Sequence, residues 1–334
     1  MTTSAVDAAP VASETSLVQD ALRKFATRHG VDTARDAMTR TCARLLDEIG
    51  YESGPPRIDQ ILGTMEVRVF RRDMQEAGAL TIEPDHYVIT LRSSDPETRQ
   101  RFTLGHELGH ILLLENLAFD HCALTEVLHT RRNTHVEELC DVAAGELLLP
   151  MRDFRKQALT PLTYERLKAL RRTYRMSLDS VLVRLTEAIP GTRIALLKRY
   201  RVAGTTARPL QVRLLGREKR LWLPTVIGER AFRPNMFAQA AAHGGRTVTD
   251  RLIIESSQRR MRDVRALLVA NPTDEPTHRF STDRTKVLHA RDADFILIMQ
   301  NADQPRDDWS SIAGRLQGNR RLGKGGSNRL ELPT

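Results

Sequence analysis

The stretch RFTLGHELGHILLLE, residues 101–115, places two histidines four residues apart, with a glutamate directly after the first. Residues four apart on an α-helix lie on one face, with Cβ atoms about 5–6 Å apart. His106 and His110 can therefore direct their imidazole nitrogens at one cation. Glu107 is turned by about 100° from His106, so it can face the open side of that cation and move protons there. This H-E-x-x-H pattern predicts a helix that holds a metal ion.

A buried amphipathic helix that happens to carry two histidines is the alternative, and the flanking sequence argues against it. Asp95 as N-cap and Pro96 at the first helical position predict a helix that starts there and runs through Leu114. Gly109 in the interior of that helix costs about 0.8–1.0 kcal/mol relative to alanine. Its presence predicts the close approach of a substrate or of another backbone.

A third ligand is expected from a second helix, about 135–149, in HVEELCDVAAGELLLP, residues 135–150. Glu137 is the predicted ligand. Asp141, one turn further on the same face, is the predicted outer-sphere partner that accepts the second N–H of His106. Glu138 lies about 100° around the helix from Glu137 and is therefore the weaker candidate.

Other side chains with metal-binding chemistry are interpreted as structural. Cys140 stands among apolar residues, which indicates a small buried side chain and not a nucleophile. The remaining candidates are expected to be loop or surface residues: His121, Cys122, His129 and His135.

A His₂Glu donor set favours Zn²⁺, although Mn²⁺ also suits imidazole and carboxylate ligands, and the sequence does not separate the two. An oxyanion formed at such a metal needs a further donor. His86 and Tyr87, on the strand predicted at 87–91 just before the helix, are the candidates. An edge strand at this place could also pair with an extended substrate segment.

Composition narrows the class of protein. The 334 residues are 40% hydrophobic and 28% charged, which is typical of a globular chain. No apolar run approaches the roughly 20 residues of a membrane-spanning helix, and the first ten residues lack the layout of a secretory signal. Three cysteines without C-x-x-C spacing argue against a disulfide framework or a thiolate zinc site. A cytoplasmic protein with no membrane partner is expected.

The order of predicted elements indicates an α+β chain in five parts. Residues 1–16 are a predicted disordered tail, 17–150 a zincin-like metallopeptidase domain, and 151–190 a basic helix-turn-helix-like segment. Short strand-like runs and one helix near 235–242 indicate a C-terminal α/β domain over 191–300. The Gly/Arg-rich residues 301–334 are predicted to be a disordered basic tail.

The basic segment has three interpretations. Between Arg155 and Arg175 there are seven Lys or Arg and one acid, Glu165, and the net charge of the chain is +9. The helices over 161–189 could contact DNA phosphates, complete the peptidase core with a solvated basic face, or recruit an acidic substrate. The second is favoured, because the second helix shows no aromatic or Asn/Gln set that would read bases. Direct DNA contact is therefore not favoured.

Taken together, RQRFTLGHELGHILL, residues 99–113, and EELCDVAAGELLLP, residues 137–150, resemble the ImmA/IrrE family of metallopeptidases. The resemblance covers residues 17–190. It implies metal ligands His106, His110 and Glu137 with catalytic Glu107, and it is strongest for the long branch with a GAF-like sensor domain. Asp141 stands where many relatives carry asparagine, and either side chain accepts the histidine N–H.

The resemblance also implies a function. Family members are cytoplasmic proteases that cut a helix-turn-helix repressor, in mobile-element immunity or in a DNA-damage response. The expected activity is therefore site-specific, metal-dependent cleavage of such a repressor. The alternatives are a DNA-binding regulator with a structural metal, and a sensor in which residues 193–300 hold a ligand that gates the peptidase.

Overall fold

The computed structural model describes residues 14–117, 134–158, 162–189, 191–199, 209–215, 226–228, 246–255, 260–271, 287–301 and 328–330. It is a mixed α and β architecture, as the sequence predicts. The chain divides into two compact units, Met1–Pro150 and Met151–Thr334. Each unit is described by itself.

The described helices of the first unit are α1 (Glu14–Arg28), α2 (Ala34–Glu48), α3 (Ile58–Thr64), α4 (Glu97–Leu117) and α5 (Thr134–Leu148). Helix α4 carries the H-E-x-x-H stretch and extends three residues past the predicted end at Leu114. The carboxylate of Asp95 forms ion pairs with Arg92 at 3.0 Å and with Arg99 at 3.3 Å. Asp95 thus links strand and helix at the start of α4.

A three-stranded sheet packs beside α4. Its strands are β1 (Val67–Arg72), β2 (Gly78–Ile82) and β3 (Tyr87–Arg92), in the order β1-β3-β2. Strand β3 pairs in parallel with β1 and antiparallel with β2. The expectation of an edge strand at residues 87–91 is therefore wrong, because β3 has a neighbour on both sides. The edge is β2, which the sequence reading missed: Gly and Ala in GALTI are weak strand formers.

Strand β2 leaves part of its backbone unpaired with β3. Ala77 O accepts from Arg92 N at 3.0 Å, and Glu83 N donates to His86 O at 3.0 Å. Since the direction of the backbone groups alternates along an antiparallel strand, Gly78 and Leu80 direct their N–H and C=O groups away from β3. Among the described residues no strand pairs with this outer edge of β2, called the free edge below, which can therefore pair with another extended chain.

Helices α4 and α5 approach each other closely at two glycines of α4. A Cβ atom at Gly109 would lie 2.8 Å from Cys140 Cα and 2.9 Å from Ala143 Cβ. A Cβ atom at Gly105 would lie 3.1 Å from Ala144 Cα. Gly109 therefore serves the approach of another backbone, one of the two explanations that the sequence suggested.

We expect Gly109→Ala to destabilise the protein by about 1–3 kcal/mol, because the new methyl group overlaps backbone that cannot move aside cheaply. The matched control is Gly63→Ala in α3, where a Cβ atom meets nothing within 4 Å. That control should be stabilised by about 0.4–1 kcal/mol. Urea unfolding followed by circular dichroism measures both. Equal stabilisation of the two variants would contradict the close approach.

The second unit contains helices α6 (Met151–Ala158), α7 (Tyr164–Tyr174) and α8 (Leu178–Ala188). Arg175 adopts φ 53° between α7 and α8, and the Ser177 hydroxyl accepts a hydrogen bond from Ser180 N at 3.0 Å to cap α8. The predicted turn at 174–177 is thus present. Six basic residues of this region are exposed: Arg152, Arg155, Lys156, Arg171, Arg172 and Arg175.

A seven-stranded sheet of order β10-β7-β8-β9-β4-β5-β6 follows. Its strands are β4 (Thr192–Arg199), β5 (Pro209–Leu215), β6 (Val226–Gly228), β7 (Arg246–Glu255), β8 (Arg260–Ala270), β9 (Phe295–Asn301) and β10 (Asn328–Leu330). Strand β7 was not predicted, and β10 lies in the expected C-terminal tail. The helix predicted at 235–242 falls outside the described residues. Within the described ranges, no helix is both long and apolar enough to cross a bilayer.

Candidate metal centre

A cleft of about 570 Å³ opens in the first unit beside β2, α4 and α5. Gly78 and Leu80 of β2 line one side of it. The other side is formed by residues of the two helices: Arg99, Phe102, Thr103, His106, Glu107, His110, Leu114, Glu137 and Asp141. The two motifs that the sequence singled out therefore face the same cavity.

The two histidines of α4 and the first-turn glutamate of α5 converge in this cleft. His106 Nε2 lies 3.3 Å from Glu137 Oε2, and His110 Nε2 lies 3.8 Å from Glu137 Oε1. The two imidazole centroids are 5.1 Å apart. Two ring nitrogens and one carboxylate with these separations suit a divalent cation such as zinc, whose bonds to N and O are about 2.0–2.2 Å. Glu138, the weaker candidate, is exposed.

The Asp141 carboxylate holds His106 in place. Asp141 Oδ1 accepts a hydrogen bond from His106 Nδ1 at 3.0 Å, so that Nε2 faces the cleft. Burial by itself lowers the pKa of His106, but the Asp141 hydrogen bond and the charges of Asp141, Glu107 and Glu137 outweigh it and raise that pKa. A carboxylate in this place fixes the tautomer and increases the basicity of the liganding nitrogen.

Glu107 lies in the cleft against the backbone of β2. Burial raises the pKa of its carboxyl group, His106 opposes that shift, and Glu137 adds to it. A Cβ atom at Gly78 would lie 2.8 Å from Glu107 Oε1 and 2.4 Å from Thr103 Cγ2. The missing side chain of Gly78 is thus what leaves room for the Glu107 carboxylate.

The position of Cys140 near the two histidines was not predicted from the sequence. Its side chain is fully buried, as predicted, and burial raises the pKa of its thiol. However, donor atoms of His106, His110 and Cys140 all lie within 4.8 Å of one another. The available signal was its position three residues after Glu137, which places both residues on similar sides of α5.

Tyr87 and His86, the candidate donors to an oxyanion, do not line the cleft. Tyr87 begins the central strand β3, and burial together with the charge of Glu115 raises its pKa. His86 Nδ1 lies 2.6 Å from the carboxylate of Asp85. The prediction that these two residues serve the site is therefore wrong, because the strand order places β2 and not β3 beside the cleft.

The other metal-binding side chains are either exposed or not described. His135 is exposed at the start of α5. His121, Cys122 and His129 lie outside the described residues.

The H-E-x-x-H residues of α4 and Glu137 of α5 together have the donor chemistry of a metallopeptidase-type centre, in a mixed α/β fold. A family model described as the IrrE N-terminal-like domain, a peptidase family, matches residues 63–186. Residues 63–186, less than half of the chain, are thus similar to the peptidase domain of the ImmA/IrrE family.

Two curated relatives are both named radiation response metalloprotease IrrE. The protein of Deinococcus radiodurans is 39% identical over 72 residues, which are 20% of this chain and 21% of the relative. The protein of Deinococcus deserti is 41% identical over 70 residues, which are 20% of this chain and 24% of the relative. The matched stretch thus spans only about a fifth to a quarter of these relatives.

A structural comparison adds a looser likeness. A Mycobacterium tuberculosis transcriptional regulator superposes with a TM-score of 0.41 and 16% identity, over 86% of this chain and 93% of that chain. An overlap this loose supports no conclusion about fold or function.

The geometry makes a direct prediction for the third ligand. Glu137→Ala should lower zinc affinity by more than the about 10- to 100-fold typical of losing an outer-sphere partner, because it removes the only carboxylate that reaches both imidazoles among the described residues. Glu138→Ala, one position along α5, is the matched control and should bind zinc like the unaltered chain. Competition with a chelating dye measures both affinities, and equal affinities would rule Glu137 out.

Proposed function

We propose that this chain is a metal-dependent endopeptidase that cuts a helix-turn-helix transcriptional repressor and so derepresses stress-response, DNA-damage-response or mobile-element genes. The observation that carries the proposal is the convergence of His106, His110 and Glu137 in an open cleft that also contains Glu107. The similarity of residues 63–186 to a peptidase family supports the reaction type. The repressor as substrate and a cytoplasmic location rest on the family resemblance.

A bound metal, zinc or alternatively manganese, would supply Lewis acidity for the scissile carbonyl and a water molecule. His106, His110 and Glu137 would hold it, and Asp141 would keep the His106 ring oriented. Glu107 takes the proton of the attacking water and passes it to the leaving amine. Its raised pKa brings the carboxyl group closer to a value at which it can both accept and return a proton.

The free edge of β2 supplies a means of holding the substrate. The N–H and C=O groups of Gly78 and Leu80 point away from β3, and both residues line the cleft. An extended peptide added to this edge would be gripped through its backbone. This edge takes the place in the mechanism that the sequence reading assigned to residues 87–91.

The exposed basic residues of α6 and α7 and Arg175 suit recruitment of an acidic protein surface. DNA binding through the same residues is the alternative, and the metal would then be structural. A sensor role for residues 191–300 remains a proposal that rests on the resemblance alone.

The central experiment incubates zinc-loaded protein with purified helix-turn-helix repressors of the same organism, beginning with any that is encoded beside its gene. Two discrete fragments are expected, and Glu107→Gln should retain zinc but lower the cleavage rate by about 10²–10⁴-fold, since it removes the proton carrier. Glu138→Gln is the control and should cleave normally. An intact repressor beside a folded, zinc-loaded enzyme would contradict the proposal. Sequence-specific DNA binding that survives Glu107→Gln, without cleavage, would favour the alternative.

Gly78→Ala is expected to reduce kcat by about 10- to 100-fold, because a shift of the general base by about 1 Å has an effect of that order. Its zinc content should stay unchanged, since the clash is with Glu107 and Thr103 and not with a ligand. Thr103→Ser removes the methyl group nearest to the new Cβ and should restore part of the rate in the double variant. A Gly78→Ala enzyme with normal kcat would show that β2 does not constrain Glu107.

A further inference from the structure

Cys140 presents a thiol to the same two imidazoles that face Glu137. Donor atoms of His106, His110 and Cys140 lie within 4.8 Å of one another. The Cys140 side chain is fully buried and does not line the cleft, whereas both histidines do. The thiol therefore approaches a shared cation from the interior of the protein, and the carboxylate of Glu137 approaches it from the cleft.

Because Gly109 has no side chain, the backbone of α5 at Cys140 can lie directly against α4. A Cβ atom there would lie 2.8 Å from Cys140 Cα and 3.1 Å from Cys140 O. Gly109 directly precedes His110 and follows His106 by three residues, so Cys140 lies beside the stretch of α4 that joins the two histidines. Helix packing, and not a flexible loop, brings the thiol to the site.

We propose that Cys140 is a fourth protein donor to the metal, alongside His106, His110 and Glu137. This proposal rests on the metal site of the proposed function. Zinc binds thiolate sulfur at about 2.3 Å, and four protein donors are typical of closed sites, whereas catalytic sites keep one position open. On coordination the thiol proton is released to solvent. A thiolate on the interior side would thus complete the set of protein donors to the ion.

Cobalt reports sulfur coordination directly. The full chain, stripped of metal and loaded with Co²⁺ alone, should show a sulfur-to-cobalt charge-transfer band in the near ultraviolet. Cys140→Ala should lose this band. Cys42→Ala is the matched control, because Cys42 is an equally buried thiol on the neighbouring helix α2 and should leave the band unchanged. Cys122→Ala tests the remaining thiol of the chain and should also keep the band.

The outcomes separate cleanly. A band that is absent from the unaltered protein, that persists in Cys140→Ala, or that disappears in Cys122→Ala instead would overturn the proposal. Circular dichroism of Cys140→Ala, with Cys140→Ser as a second variant that preserves side-chain size, guards against loss of fold. If both variants fold, both should lack the band.

Proton release provides an independent measurement. Titration of zinc into the metal-free protein in buffers of different ionisation enthalpy should release about one proton fewer for Cys140→Ala than for the unaltered chain, and zinc should bind at least about tenfold more weakly. Equal proton release would contradict a coordinated thiolate. These readouts do not depend on peptide cleavage. An enzyme that cuts its repressor without the cobalt band refutes only the role of Cys140, whereas the band without cleavage refutes only the proposed substrate.

Discussion

The candidate site depends on how closely α4 and α5 pack. Two ligands of the proposed metal come from one turn of α4, but the third comes from α5, so the distance between the helices decides whether the three can meet. Gly105 and Gly109 carry no Cβ atoms on the side where Ala144 and Cys140 lie, and added Cβ atoms would come within 2.8–3.1 Å of α5 backbone. Each glycine costs about 1 kcal/mol of helix propensity. Alanine at either position would push α4 and α5 apart and so separate the three proposed ligands.

The same packing concentrates negative charge around two imidazoles. Glu107, Glu137 and Asp141 all raise the pKa of His106, although its burial acts in the opposite direction. A group of three carboxylates in a part-buried cleft stabilises positive charge there, whether on a histidine or on a cation. Strand β2 completes the arrangement, since Gly78 allows its backbone to lie against Glu107, and no strand within the described ranges pairs with its outer edge.

Local spacing made much of the site predictable. Side chains four residues apart share a helical face, which groups His106 with His110 and Glu137 with Asp141. Two histidines on one helix need a further metal ligand, and the carboxylates of the next helix could be matched to that need. Strand order could not be obtained this way, because the pairing of β3 with both neighbours is a non-local property. For that reason β2 was missed, and His86 and Tyr87 were assigned to a cleft that they do not line. Cys140 was interpreted from its apolar neighbours in sequence, which say nothing about the histidines across the helix interface.

The most direct measurement is the position of the metal. A crystal of the zinc-soaked protein, with diffraction recorded on both sides of the zinc absorption edge, gives an anomalous difference peak that marks the ion itself. One strong peak is expected within about 2.0–2.2 Å of His106 Nε2, His110 Nε2 and a Glu137 carboxylate oxygen. A peak bound elsewhere in the chain, or one at the two histidines with Glu137 turned away, would contradict it.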